Sequence, residues 1–301
     1  MALKETIKVN FVDFWPNLFK EDNYFYNLLS TKYDVIIDEN DPDIVFYSVD
    51  YFRQNGIGRY LGTRAKIIYY SGENQLPNWD NVDLAFSFSY DEHGGKNYRL
   101  PLWSLHINWF DRPYIEERDQ AYLHDPKLLL EKPINVNKEK LCNFVYSQAK
   151  GRRLSFLPVM SDRFPNAVEC GGSVYNNTGS KIPGRGDTIQ KIEYLDNFKY
   201  TISFENESAS GYQTEKIFHP MMVNSIPIYW GNPTPETDFN VESFVFANKL
   251  TDEEVCDKIQ EIENDEELYR HILSQPWFVG NDFPDFVKPE NVLKRIQEIL
   301  K

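Results

Sequence analysis

The chain has 301 residues with 32 basic and 46 acidic side chains, a formal net charge of −14. Nucleic-acid binding through phosphate neutralisation needs a dense basic surface, which this balance excludes, so any anionic ligand must be held by a few well-placed cations. The length suggests about two domains at roughly 150 residues each, and a chain 41% hydrophobic and 15% aromatic can fill two cores, so the acidity is not a sign of disorder.

The opening MALKETIKVNFVDFW has no apolar run of signal-peptide length, and nothing later approaches the ~18 to 20 apolar residues that span a bilayer. A soluble chain is expected, although a removed anchor or tail would leave no trace. IKVNFVDF (7–14), DVIID (34–38), DIVFYS (43–48), AKIIYYSG (65–72) and DLAFSFS (83–89) read as strands, being β-branched or aromatic and bounded by Asp, Asn, Gly or Pro. Helical spacing falls around 20–31 and 50–62. Strands alternating with helices imply βαβ units and a parallel sheet covered on both faces. From about 104 to 141 a charged, proline-containing stretch reads as a linker.

A second alternating block starts at NFVYS (143–147), followed by a helical pattern from Arg152 to Asp162 and a turn-rich segment, CGGSVYNNTGSKIPGRGD. Then come YLDNFKYTISFEN, reading from helix into strand, a helix from about Thr214 to Val223, and the strands SIPIYWG and SFVFAN. Thr251 and Glu254 make a capping-box pattern. In KPENVLKRIQEILK, residues Val292, Leu293, Ile296, Ile299 and Leu300 share one face, as in an amphipathic helix packed on a domain. The fold class expected is α/β, with two doubly wound domains facing a cleft: residues 1–140, 141–275, and a C-terminal helical segment 276–301 that packs back on them.

Chemistry concentrates in SFENESASGYQTEKIFHPMMVNSIPIYWGNP (203–233). A strand ends at Phe204, a polar loop follows, and a helix opens with Glu215 and Lys216 in its first turn. Free N–H groups at a helix start favour a phosphate, and a lysine there adds a full positive charge. From physics alone Glu215 also fits as a dipole-compensating residue and Lys216 as a solvated one. Five histidines, at 93, 106, 124, 219 and 271, show no ligand spacing, and DPD (41–43) and DFPD (282–285) read as turns, so no metal is predicted. Cys142, Cys170 and Cys256 are odd in number and far apart, matching no zinc or redox spacing, which favours a reducing, cytoplasmic setting.

FEN, six positions from Asn206 to Tyr212, then YxTEKIF and PIYWGNP, resembles the donor-binding signature of the α1,3/α1,4-fucosyltransferases, and is closer to the bacterial members than to the animal ones. Weaker likeness runs through YYSGENQLPNWDNVDLAFSF and YRLPLW (69–103), RRLSF and GGSVYNN. The resemblance implies a GT-B fold of two Rossmann-like domains, acceptor domain first and donor domain second. It implies an inverting transfer of L-fucose from GDP-fucose to the 3-OH of GlcNAc or glucose in an N-acetyllactosamine- or lactose-type acceptor, of the Lewis type, with no cofactor or metal required. It also implies a cytoplasmic protein, peripheral to the inner membrane at most.

The same resemblance implies that Glu73, in SGEN after the strand AKIIYY, is the catalytic base. It further implies that Arg153 and Lys216 face the departing diphosphate and that Asn206, Tyr212 and Glu215 line the donor site. Arg152 is the alternative to Arg153, since adjacent helix residues point in different directions. Tyr175 stands where bacterial relatives carry an arginine, which puts one phosphate or guanine contact in doubt. Acceptor choice is expected from loops around FWPNLF (14–19), DEHGGKN (91–97) and SLHINWF (104–110), whose aromatic residues could stack on sugar faces.

Overall fold

The computed structural model describes residues 4–15, 18–50, 52–113, 123–132, 134, 137–182 and 188–301. The chain forms two compact units, one built from residues 1–105 together with 285–301, the other from 106–284. The described residues between 106 and 140, which the sequence groups with the first half, thus assemble with the second.

The first unit carries β1 (Thr6–Val12), α1 (Tyr24–Ser30), β2 (Asp34–Ile37), β3 (Ile44–Tyr47), β4 (Lys66–Tyr70), β5 (Leu84–Ser87) and β6 (Asn97–Arg99). All six strands are parallel, in the order β2-β1-β3-β4-β5-β6. The central strands IVFY, KIIYY and LAFS are buried nearly throughout, as a sheet covered on both faces requires, whereas edge strand β2 is half exposed. Val9 of β1 is in register with Ile37 on one side and Ile44 on the other. The short link between β2 and β3 therefore needs no crossover helix.

The helix read over 50–62 does not form. Only a 3-10 turn, Gly56–Arg59, occurs there. Arg53 and Asn55 have left-handed φ of 54° and 49°, and the Asp13 carboxylate accepts the N–H groups of Gly56 and Ile57 at 2.7 and 2.8 Å. That anchoring satisfies the backbone locally, so the helical spacing has nothing to propagate.

The second unit contains α2 (Pro126–Glu131), β7 (Lys140–Phe144), α3 (Arg152–Arg163), β8 (Val168–Cys170), α4 (Thr188–Leu195), β9 (Phe198–Phe204), α5 (Glu215–Met222), β10 (Ile226–Trp230), β11 (Val245–Phe246), α6 (Asp252–Asn264) and α7 (Glu266–Ser274). Its five parallel strands run β11-β10-β9-β7-β8. The chain passes from β7 to β8 on one side and from β9 through β10 to β11 on the other, so the order reverses between β7 and β9. Strands β6 and β8 escape the sequence reading because three residues carry too little periodicity. Cys142, Cys170 and Cys256 are buried free thiols, two of them inside the strands β7 and β8.

The Thr251–Glu254 capping box forms on α6, with both reciprocal hydrogen bonds present. After α7 the chain returns to the first unit as α8 (Pro289–Leu300), which buries Val292 and Ile296. Gln297 donates to the Tyr33 hydroxyl at 3.1 Å, and Arg295 donates to the Gly95 carbonyl. Among the described residues no helix is long and apolar enough to cross a membrane.

Candidate active site

In a doubly wound sheet, neighbouring crossovers part at the strand-order reversal and leave a crevice beyond the carboxyl ends of the strands. In the second unit that crevice lies beyond β7 and β9, and the five residues expected at the donor site, Arg153, Asn206, Tyr212, Glu215 and Lys216, lie on the segments that follow those strands. Arg153, in the first turn of α3, is 2% exposed. It donates through Nε and Nη2 to the Phe204 carbonyl at 3.2 and 2.7 Å, and through Nη2 to Asn206 Oδ1 at 2.9 Å. Its guanidinium lies 4.0 Å from the centre of the Tyr146 ring. The Tyr146 hydroxyl in turn accepts the Phe204 N–H at 2.6 Å and donates to the Ile202 carbonyl at 2.8 Å. Arg153 is thereby fixed to the end of β9.

Arg152 points elsewhere. Its Nε donates to Asp252 at 2.7 Å, and Nη1 and Nη2 donate to the carbonyls of Ala247 and Leu250 at 2.5 and 2.8 Å. These three bonds tie α3 to the segment that opens α6, and the guanidinium also lies 5.4 Å from the centre of the Phe204 ring.

The loop after β9 is held at several points. Asn232 Oδ1 accepts the Gly211 N–H at 2.8 Å, and Asn232 Nδ2 donates to Gln213 Oε1 at 2.8 Å. Ser208 donates to the Gly231 carbonyl at 2.6 Å. These bonds explain why a WGNP turn accompanies the polar loop. Tyr212 is 2% exposed, so its ring is enclosed in the loop.

Helix α5 starts at Glu215 because Thr214, in extended conformation, offers its hydroxyl to the Lys216 N–H at 3.4 Å. The Lys216 ammonium sits 3.2 Å from Glu215 and 3.5 Å from Glu205, with side chains 16, 24 and 0% exposed in that order. Burial acts against the charge on Lys216, but Glu215 and then Glu205 outweigh it and hold the ammonium protonated well above its ordinary range. Burial alone would raise the Glu215 carboxyl too, yet Lys216 and then Lys191 keep it well below the usual carboxylate range. Glu205 is raised, burial prevailing over Lys216.

Several neighbours carry no signal that the sequence reading used. Lys191 on α4, Lys216, His219, Tyr146 and Thr201 line a small recess. His219 Nε2 lies 3.4 Å from His106 Nδ1, with the rings edge to face at 4.9 Å. Burial lowers both imidazoles, His106 to about 4, so the pair is neutral at pH 7. His219 stands four residues after Glu215 on α5, a spacing visible in the sequence. His106 is 113 residues away and only the fold supplies it.

In the first unit the order reverses between β1 and β3, and Glu73 follows the next strand, β4. Its N–H donates to Ser71 Oγ at 2.9 Å and its carbonyl accepts the Gln75 N–H at 2.7 Å, a tight turn that leaves the side chain half-buried. The Leu102 side chain packs directly on Gly72 at this turn. A Cβ there would lie 2.9 Å from Leu102 methyl carbons.

Phe14 and Trp15 extend from the carboxyl end of β1, while Pro16 and Asn17 lie outside the described residues. The DEHGGKN loop, expected to help choose the acceptor, sits at the opposite end of the sheet. The Lys96 carbonyl accepts the Ala85 N–H at 2.7 Å, Lys96 Nζ reaches the Trp79 carbonyl at 2.6 Å, and His93 stacks on Trp79 at 4.0 Å. All of these contacts precede or open β5, at the amino ends of the strands. Asp41 and Asp43 are both engaged by Arg64. Tyr175 is 53% exposed with φ 54°. Among the described residues no three His, Cys, Asp or Glu side chains converge to hold an ion.

Two doubly wound parallel units, with cations gathered at the strand-order reversal of the second, define the GT-B class of α/β proteins. The model of the Alpha-(1,3)-fucosyltransferase FucT N-terminal domain matches residues 9–106, and that of the Glycosyltransferase family 10 (fucosyltransferase) C-term matches residues 136–277. The chain belongs to this fucosyltransferase family.

An Alpha-(1,3)-fucosyltransferase FucT of Helicobacter pylori is 28% identical over 290 residues, covering 84% of this chain and 56% of the relative. A putative fucosyltransferase R654 of Acanthamoeba polyphaga mimivirus is 29% identical over 153 residues, 48% of this chain and 25% of the relative. The chain thus spans about half or less of the length of these relatives. A crystal structure of an alpha1,3-fucosyltransferase superposes with a TM-score of 0.76 at 23% identity, covering 99% of this chain and 90% of the other. Another, described with GDP-fucose, superposes at 0.73 and 23% identity, covering 100 and 92%. At these identities the likeness is one of fold.

Proposed function

We propose that this chain is a GDP-fucose-dependent α1,3-fucosyltransferase that inverts configuration at the anomeric carbon. One observation carries the reading: Arg153 is bonded to the Phe204 carbonyl and to Asn206 at the carboxyl end of β9, where Lys216, in the first turn of α5, pairs with Glu205. A diphosphate seated there would meet a planar guanidinium donor, a point-charge ammonium and the free N–H groups of a helix start. The solved relative described with GDP-fucose supports the choice of nucleotide-sugar.

In this mechanism Glu73 takes the proton of the acceptor's 3-hydroxyl as that oxygen attacks the anomeric carbon of β-linked fucose. The C–O bond to the diphosphate breaks in the same displacement, and GDP leaves with the electron pair. Arg153 and Lys216 stabilise the charge that develops on the leaving oxygen, in place of a divalent cation. Glu215 accepts donor hydroxyls, Asn206 holds Arg153 in orientation, and Tyr212 shapes the loop from within. The acceptor is a neutral N-acetyllactosamine- or lactose-type glycan, which needs no basic surface. The buried free thiols fit a reducing, cytoplasmic location.

Purified protein incubated with GDP-fucose and N-acetyllactosamine or lactose should release GDP and yield an α1,3-fucosylated product. Calorimetry should rank GDP above UDP and ADP. Absence of both product and GDP release would sink the proposal.

A further inference from the structure

Glu205 is the most deeply buried carboxylate of the site, 0% exposed, and follows directly on β9. Its backbone N–H continues the sheet by donating to the Trp230 carbonyl at 2.8 Å, so the residue is fixed at its root. The carboxylate is fixed at its tip. It accepts the Thr214 N–H at 2.8 Å and the Thr214 hydroxyl at 3.0 and 2.8 Å, through Oε1 and Oε2. Thr214 in turn caps α5 and receives Lys216 Nζ at 3.1 Å. Gly231 completes the seat, because a Cβ there would approach Glu205 Cγ to 2.5 Å.

Two carboxylates share the Lys216 ammonium, and they differ in freedom. The Glu215 side chain keeps 24% of its surface exposed, whereas that of Glu205 is fully enclosed. We infer that Glu205 is a positioning residue, which clamps the end of the 206–213 loop to β9 and holds Lys216 in place for the donor's diphosphate. This rests on the reading of Lys216 as a diphosphate ligand given above.

The inference has a sign that separates it from simple electrostatics. An anion beside Lys216 opposes a second anion, so if Glu205 were only a nearby charge, Glu205→Gln would tighten GDP binding. A positioning role predicts the reverse. Calorimetric titration of GDP should show Glu205→Gln weakened by about 10- to 100-fold, the range expected when a charge-assisted contact is lost. The acceptor KM should be unchanged.

In the Glu205→Gln background, Lys216→Met should cost much less affinity than in the unaltered protein, since residues acting as a unit are not additive. If Glu205→Gln does not fold, Thr214→Val tests the same clamp and should weaken GDP, with Thr214→Ser restoring it. Equal or tighter GDP binding by Glu205→Gln, or by Thr214→Val where that variant is used, overturns the inference, as do additive effects in the double variant. No GDP binding by the unaltered protein overturns the donor reading and the inference with it.

Discussion

Arg152 and Arg153 are adjacent in sequence, and the structure gives them opposite duties that two substitutions can separate. Arg152→Met removes one ion pair, to Asp252, and two hydrogen bonds to backbone carbonyls, from a position where both charged side chains are only 13 and 15% exposed. Hydrogen bonds to charged groups contribute about 1.5–3 kcal/mol each at full burial, and the three here act on one group that keeps some solvent, so the summed loss should be about 2–4 kcal/mol. At roughly 2–4 °C per kcal/mol in larger domains, Tm should fall by roughly 4–16 °C. GDP affinity should stay within about twofold, because the polar partners of Arg152 lie at the entry to α6 and it meets the end of β9 only through the Phe204 ring.

Arg153→Met should also lower Tm, since it leaves the buried Phe204 carbonyl without its donors, at about 1–3 kcal/mol. Its distinguishing effect is on GDP, weakened about 10- to 100-fold by loss of a fork-shaped cation. Thermal melts give the first quantity and calorimetric GDP titration the second. If Arg152→Met weakens GDP more than tenfold while Arg153→Met leaves it unchanged, the assignment of the two arginines is wrong.

Glu73→Gln should lose about 100- to 10,000-fold in turnover while GDP-fucose affinity stays the same; parallel loss of both, by kinetics and direct titration, would make Glu73 a donor-site or structural residue. Lys216→Met should weaken GDP about 10- to 100-fold, and unchanged affinity would remove it from the diphosphate site. The neutral imidazole pair makes stability depend on pH. Burial holds His106 at about 4 and His219 well below 6.5, whereas the unfolded chain takes up protons near 6.5. The unfolded state therefore binds more protons as pH falls, so stability present above about 6.5 is lost progressively toward pH 4. Urea midpoints measured from pH 7 to 4.5 should fall less steeply in His219→Phe, and identical slopes would show that the pair does not contribute.

Much of the fold was legible because its strands announce themselves. IVFY, IIYY and IPIYW are short, β-branched or aromatic runs between turn residues, the pattern of strands buried on both faces. The donor loop was legible because it joins local signals: a strand end, a polar loop, then Thr214 and a charged first turn. The false helix at 50–62 has helical spacing, but the carboxylate that caps its backbone comes from Asp13, about forty residues earlier. Local pattern cannot show such a competitor. The position of the 91–97 loop, expected to help choose the acceptor, was hidden for a related reason. Its composition suits a recognition loop, and only the strand register places it at the amino ends of the sheet.

By itself the sequence determined that this is a two-part α/β chain, with scarce cations and one stretch, 203–233, suited to an anionic sugar donor. These are consequences of composition and short-range periodicity, which act within a few residues of each other. Tertiary structure alone showed that Arg153 bonds the end of β9 while Arg152 bonds the entry to α6, that Glu205 holds Thr214 beside Lys216, and that Lys191, His106 and Tyr146 lie near them. Those relations hold between groups far apart in the chain, brought together because the sheet of the second unit reverses its strand order between β7 and β9. The charge of −14 spoke against a broad basic surface, and the reversal set where Arg153 and Lys216 are placed.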